Sequence, residues 1–239
     1  MDKAFNWEEH WKEWRNAKAE NEHDLFFQVG RTIQKKPIEK EVFDLITADI
    51  ISRLGLNSND ILVELCCGNG LCTYELKDSA KQIIAVDFAP HLIEAAQRLK
   101  SAPNITYTLG SVFDFLDNFK NEWKVVPTKF LMNNALAYFT PPELEKILKS
   151  IVQITGGKFI FLLRDVPNEF TKWNFYNTEE RKQKYYDLVA QGDTTNDGLG
   201  RWWSPAEIMD ICDRLHLGCV INNQRPPISD YRMDIIISH

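Results

Sequence analysis

The chain has 239 residues, 44% of them hydrophobic and 12% aromatic, enough to bury a sizeable core in one domain. A net charge of −6, with no basic run longer than two residues, is unsuited to a nucleic-acid surface, because phosphate binding needs concentrated cations. There is no apolar stretch of about 18 residues and no charged-then-apolar leader, so neither a membrane span nor an ordinary secretion signal is predicted, and a cytoplasmic location is expected.

The first 37 residues read as an N-terminal helical or lid segment. Trp7, Trp11 and Trp14 fall at i, i+4 and i+7, the spacing of a one-sided aromatic helix that packs on the domain or on a second copy in a homodimer. Phe26-Phe27-Gln28-Val29-Gly30-Arg31-Thr32 follows, with Arg31 suited to a carboxylate or phosphate. From residue 38 the main domain is expected to run to 239. Ile38, Val42, Leu45, Ile46, Asp49 and Ile50 share one face of a helix that Gly55 stops.

Beyond it the periods alternate: strand 61–65, helix about 71–80, strand 82–87, helix 90–101, strand 105–109 and strand 129–133. Thr140-Pro141-Pro142-Glu143 opens the next helix with a cap, and Gly156-Gly157 closes it. Residues 158–163 form a further buried strand ending at Arg164-Asp165. An excursion of residues 166–203, with a charged helix from about Asn177 and a glycine-bearing stretch Gln191–Gly198, is expected to cap a substrate. Ser204-Pro205-Ala206-Glu207 starts the last helix, and the runs 219–223 and 231–237, with Pro226-Pro227 between them, are expected to pair antiparallel at the sheet edge. The predicted fold is α/β, a Rossmann-like, mostly parallel seven-stranded sheet with helices on both faces and an antiparallel strand near the C-terminus.

In such a sheet ligands lie beyond the carboxyl ends of the strands, where Glu64, Asp87, Ser111, Asn133, Tyr138, Arg164 and Asp165 all fall. Gly68 and Gly70 bare the backbone after the first strand, and the two acids favour a ligand with an ammonium group or ribose hydroxyls over a bare phosphate. Of five cysteines, Cys66, Cys67 and Cys72 crowd this turn at no usual zinc spacing, so neither a disulfide framework nor a metal site is expected.

Glu64-Leu65-Cys66-Cys67-Gly68-Asn69-Gly70 resembles the first motif of the class I S-adenosylmethionine-dependent methyltransferases, with Cys66-Cys67 replacing the commoner small residue or glycine. Asp87-Phe88 resembles the second motif and Gly110-Ser111-Val112-Phe113-Asp114 the third, and Phe130 to Phe139 fits the fourth strand. The resemblance implies S-adenosylmethionine as cofactor, with S-adenosylhomocysteine as product. It implies Gly68 and Gly70 under the methionine part, Cys67 among the cofactor-binding residues, Asp87 on the ribose, and Phe88, Ser111 and Val112 about the adenine. Asn133 would stand near the methionine end, and Glu64 would act on the ammonium directly or through water. Three looser segments, around Gly30-Arg31, Arg201-Trp202 and Arg232-Met233, resemble small methyltransferases of bacterial surface-polysaccharide genes. They imply a small polar acceptor, neutral or anionic, such as a sugar, sugar phosphate or phosphoramidate.

For the transfer itself Asp165 is the expected base and Tyr138 the orienting hydroxyl, with Arg31 and Arg164 on the acceptor. A nicotinamide oxidoreductase is the remote rival, disfavoured because Thr73 stands where its fingerprint needs glycine or alanine. A non-catalytic methyltransferase-like partner subunit is the other alternative.

Overall fold

The computed structural model describes residues 7–13, 19–33, 36–191 and 199–239. Trp14, Gln34 and most of the expected glycine-bearing loop, residues 192–198, lie outside the described residues. The central sheet contains β3 (Ile61–Leu65), β4 (Gln82–Asp87), β5 (Ile105–Leu109), β6 (Lys129–Asn133), β7 (Ile160–Pro167), β8 (Gly218–Asn223) and β9 (Arg232–Ser238), in the order β5-β4-β3-β6-β7-β9-β8. The pairs from β5 to β7 are parallel, and β9 runs antiparallel to both β7 and β8. This is the seven-stranded, mostly parallel architecture expected from the sequence. After β5 the chain crosses back to lay β6 against the other side of β3, so the topological switch lies between β3 and β6.

Both sheet faces are covered because successive side chains of a buried parallel strand point to opposite sides. Val63, Leu65, Ile84, Val86, Phe130 and Met132 pack under α6 (Val112–Glu122), α7 (Pro141–Thr155) and α10 (Pro205–Arg214). Leu62, Ile83, Leu131 and Leu162 pack under α3 (Lys40–Leu54), and Ala85 meets Ile93 and Ala96 of α5 (Pro90–Leu99). The two capping boxes expected from sequence are formed at Thr140/Glu143 and Ser204/Glu207.

Several elements depart from the expected pattern. Ahead of the domain stand α1 (Trp7–Glu13), α2 (Glu22–Gln28) and a two-stranded ribbon of β1 (Thr32–Ile33) and β2 (Lys36–Pro37). A seven-residue helix such as α2 is too short to show a period, and its mark is the Asn21/Asp24 capping box. α6 was not foreseen between the third and fourth strands of the parallel series; Ser111 caps it by accepting from the Asp114 amide, and Val112, Phe115, Leu116 and Phe119 form its buried face. α4 (Leu71–Glu75) ends early in a 3-10 turn over Lys77–Ser79. β7 runs four residues past Leu163, through a bulge between Leu163 and Val166, which carries Arg164 and Asp165 inside the sheet.

The excursion after β7 holds α8 (Lys172–Phe175) and α9 (Glu179–Ala190). It returns through Gly200 and Arg201, whose amide donates to the Ala137 carbonyl at 2.7 Å, and through buried Trp203, whose indole N–H donates to the Leu136 carbonyl at 3.0 Å. The excursion is therefore tied to the short turn Leu136–Tyr138 beyond β6. No helix among the described residues is long and apolar enough to cross a membrane.

Candidate active site

The loop after β3 turns sharply beside the switch point. Cys66, Gly68 and Gly70 all have left-handed backbone, with φ of 59°, 58° and 73°. For Cys66 this is a strained choice of about 1–2 kcal/mol, and such outliers gather where a backbone is over-determined by function. A cavity of about 260 Å³ opens here, with Cys66, Cys67, Gly68 and Asn69 on its wall.

The two glycines serve different ends. A Cβ on Gly68 would stand 3.1 Å from Val29 Cγ1, where the end of α2 closes over the turn. Gly70 does not line the cavity; a Cβ there would lie 2.5 Å from the hydroxyl oxygen of Tyr107. That hydroxyl donates to the Lys100 carbonyl at 2.8 Å. Gly70→Ala is therefore expected to destabilise the fold by about 2–3 kcal/mol, from left-handed strain plus the displaced hydrogen bond, as read by urea unfolding. Asn69 ties the turn to the N-terminal segment, donating to the Leu25 carbonyl at 2.8 Å and to Gln28 Oε1 at 3.0 Å.

Two acids close the strand ends. Asp87 is buried with its carboxylate aimed by backbone: Oδ2 accepts from the Gly68 amide and Oδ1 from the Ala89 amide, each at 2.9 Å. Burial pushes its carboxyl above the usual value, and these amides restrain the rise. Glu64, 2% exposed, has one carboxylate oxygen, Oε2, with no hydrogen-bond partner. Burial, then the charge of Asp87, pushes it up to about 7.

A folded value of about 7 against about 4.3 unfolded means that the folded chain binds the extra proton between those values. Glu64 thus favours the folded state fully below pH ~4, and that contribution fades as pH rises through 7. Glu64→Gln, which cannot ionise, is expected to gain stability over the native chain between pH 5 and pH 8, by up to about 3 kcal/mol in urea unfolding. A pH-independent difference would refute this.

Phe88 and Leu92 after β4 and Ser111, Val112 and Phe113 after β5 form the far wall. Ser111 is engaged in its cap, donating to Asp114 Oδ2 at 2.8 Å, so it offers the cavity shape more than a hydroxyl. Burial raises the thiols of Cys66 and Cys67 well above their ordinary value and that of Cys72 to about 12, so all three stay protonated.

The opposite end is polar. Arg31, reaching in from beyond α2, donates to Asp165 Oδ2 at 2.6 Å and to Asn133 Oδ1 at 3.0 Å. Arg232 of β9 donates to Asn134 Oδ1 and to the Asp165 carbonyl, both at 2.7 Å. Asn134 and Asp165 are the other two left-handed residues of the site, at φ 60° and 65°. Tyr138 meets Trp11 edge-on at 5.5 Å, and burial raises its hydroxyl to about 12, against the opposing charge of Arg232.

Arg31, Asn133, Asn134, Tyr138 and Trp11 line the cavity, whereas Asp165 and Arg164 lie behind its wall. Asp165 is held well below the usual carboxylate range: burial opposes this, and Arg232, Arg31 and Arg164 overcome it. Arg164 is fully buried and does not line the cavity, with the carboxylate of Asp49 3.6 Å off. Asn134, Phe43 and Leu92 are wall residues that sequence reasoning did not single out. Only the doubled asparagine at 133–134, a residue type tolerant of left-handed backbone, marked one of them.

This end of the cavity therefore combines a buried carboxylate oxygen with no hydrogen-bond partner, a carboxylate oriented by two amides, and bare backbone between them. Residues 62–156 match the family model described as a methyltransferase domain. Over this stretch the chain is similar to methyltransferase domains. An uncharacterised methyltransferase of Schizosaccharomyces pombe is 39% identical over 54 residues, 23% of this chain and 21% of that protein. One from Synechocystis is 26% identical over 125 residues, covering 52% and 56%. The chain thus spans from a fifth to just over half the length of these relatives. In fold the domain is similar to an S-adenosylmethionine-dependent methyltransferase from Anabaena variabilis, with a TM-score of 0.60, 16% identity, and coverage of 100% of this chain and 97% of the other.

Proposed function

We propose that the protein transfers the methyl group of S-adenosylmethionine to a small polar acceptor, of the class of sugars, sugar phosphates or phosphoramidates, held beside the N-terminal segment at the Arg31 end of the cavity. The observation that carries this reading is one cavity with two chemically different ends, an acidic cradle at Glu64 and Asp87 and a polar end at Arg31, Asn133, Asn134 and Tyr138. When bound, the cofactor supplies an electrophilic sulfonium methyl whose loss leaves a neutral thioether.

The chain's own contribution is placement. Asp87, fixed by two amides, and Glu64 would hold the ribose and ammonium, while Phe88 and Val112 would fix the base. Trp11, Val29 and Phe43 close the cavity from the N-terminal side, excluding water from the reacting atoms. Tyr138 keeps its proton at neutral pH and so serves as a hydrogen-bonding group that orients the acceptor. Asp165 is proposed as the positioning group for Arg31 rather than as a base, because three arginines hold its charge. Alignment of acceptor and methyl group then supplies the acceleration, and well-oriented reactants gain up to about 7–11 kcal/mol.

Incubating the protein with methyl-labelled S-adenosylmethionine and fractionated cell metabolites tests the reading. Label in a small polar fraction supports it. Binding without transfer to any fraction favours the non-catalytic subunit, and absence of cofactor binding overturns both.

A further inference from the structure

Behind the acceptor end of the cavity the buried charges do not balance. Arg31, Arg164 and Arg232 have side chains 16%, 0% and 13% exposed, and the carboxylates among them, Asp165 and Asp234, are 6% and 1% exposed. Three guanidiniums face two carboxylates. The flanking Arg53–Asp49 pair, at 2.8 Å, contributes one charge of each sign and leaves the excess unchanged.

Asp234 is already engaged, accepting from the Asp165 amide at 3.0 Å and from Gln224 at 2.7 Å. Asp165 serves both Arg31 and Arg232, the second at 3.6 Å. None of the three guanidinium nitrogens of Arg164 has a hydrogen-bond partner. Its counter-charge is Asp49 at 3.6 Å, which Arg53 holds more closely at 2.8 Å, and the field of Arg164 extends to Asp165 and to Cys72 on the cavity wall.

The donors that face the cavity at this end suit an oxyanion. Two donors of Arg31 are taken by Asp165 and Asn133, leaving the rest of its planar fork. Asn134 gives its carbonyl oxygen to Arg232, so its amino end remains as a donor. Tyr138 adds a protonated hydroxyl. The remaining acid of this wall, Glu143, is turned to the amide and hydroxyl of Thr140, at 2.7 Å each.

We infer that the methyl acceptor carries an oxyanion group, a carboxylate or a phosphoryl group, bound at Arg31, Asn134 and Tyr138, where it supplies the negative charge that the arginine cluster lacks. This rests on the methyl-transfer reading above and narrows its substrate class to anions.

The test begins with S-adenosylhomocysteine binding by calorimetry. The saturated protein is then titrated with inorganic phosphate, methylphosphonate and acetate against a chloride background, and the series is repeated on Arg31→Gln and Arg31→Lys. Expected is saturable binding of at least one anion, weakened tenfold or more in Arg31→Gln and less in Arg31→Lys, with S-adenosylhomocysteine affinity kept within about threefold. Phosphate and methylphosphonate binding without acetate marks a phosphoryl acceptor; the reverse marks a carboxylate. No anion binding to the saturated native protein overturns the inference, as does anion binding indifferent to Arg31. Loss of S-adenosylhomocysteine affinity in Arg31→Gln, with no anion bound, would assign the excess charge to the cofactor's own carboxylate and also overturn it. Failure of S-adenosylhomocysteine to bind at all is the separate signature that the methyl-transfer reading itself is wrong, and the inference falls with it.

Discussion

Asp87→Ala is expected to weaken S-adenosylhomocysteine binding about 100-fold, measured by calorimetry on a variant that still melts cooperatively. Two losses add. The ribose hydroxyls lose a charged acceptor, worth about 1.5–3 kcal/mol, and about 1.4 kcal/mol is tenfold in affinity. The Gly68 amide also loses its partner at 2.9 Å, so the turn that carries the cradle is no longer pinned to β4. The free chain should suffer less than the complex, because this carboxylate is held in the folded state against its own burial. Asp87→Asn, which keeps an acceptor oxygen without the charge, should fall between, near tenfold. Unchanged affinity in a folded Asp87→Ala protein would remove Asp87 from the cofactor site.

Asp165→Ala is expected to be the more damaging change to the fold, costing about 3–5 kcal/mol in urea unfolding, because it leaves Arg31 and Arg232 buried without the carboxylate they share. The same pairing fixes the pH dependence. A carboxyl held below its unfolded value of about 3.9 contributes stability at every pH above that value and loses it as pH falls further. The native chain should therefore lose stability steeply below about pH 4, and Asp165→Ala, already lacking the contribution, should show a shallower acid limb. If the variant is as stable as the native chain at pH 7, the arginines have another counter-charge and the cluster has been misread. If activity per folded molecule survives in Asp165→Asn, the carboxylate is not a base.

The acidic half of the cavity was legible because its residues lie where local pattern puts them. Glu64 and Asp87 end apolar runs, and Gly68 interrupts backbone next to a helix start, so strand-end position alone brings them together. Cys67, Phe88, Ser111, Val112 and Asn133 follow for the same reason, and all line the cavity. Gly70 was read as a ligand glycine, yet its contact is Tyr107, two strands away, and no run of sequence announces that meeting. Arg164 and Asp165 were placed just past a strand end. The bulge in β7 instead keeps both within the strand, turning Arg164 into the interior and Asp165 behind the wall.

By itself the sequence determined the doubly covered seven-stranded sheet, its three proline-opened helices and the acid–glycine–acid turn, because hydrophobic period, caps and turns act between residues near in the chain. Only the tertiary structure decided the polar end around Arg31. Arg31 meets Asp165 across 134 residues, and Arg232 meets Asn134 across 98. Such pairings depend on strand order, on one bulge and on how an N-terminal helix docks on Asn69. The charge excess is likewise a sum over residues from four separate segments, a quantity that exists once the fold has brought them together.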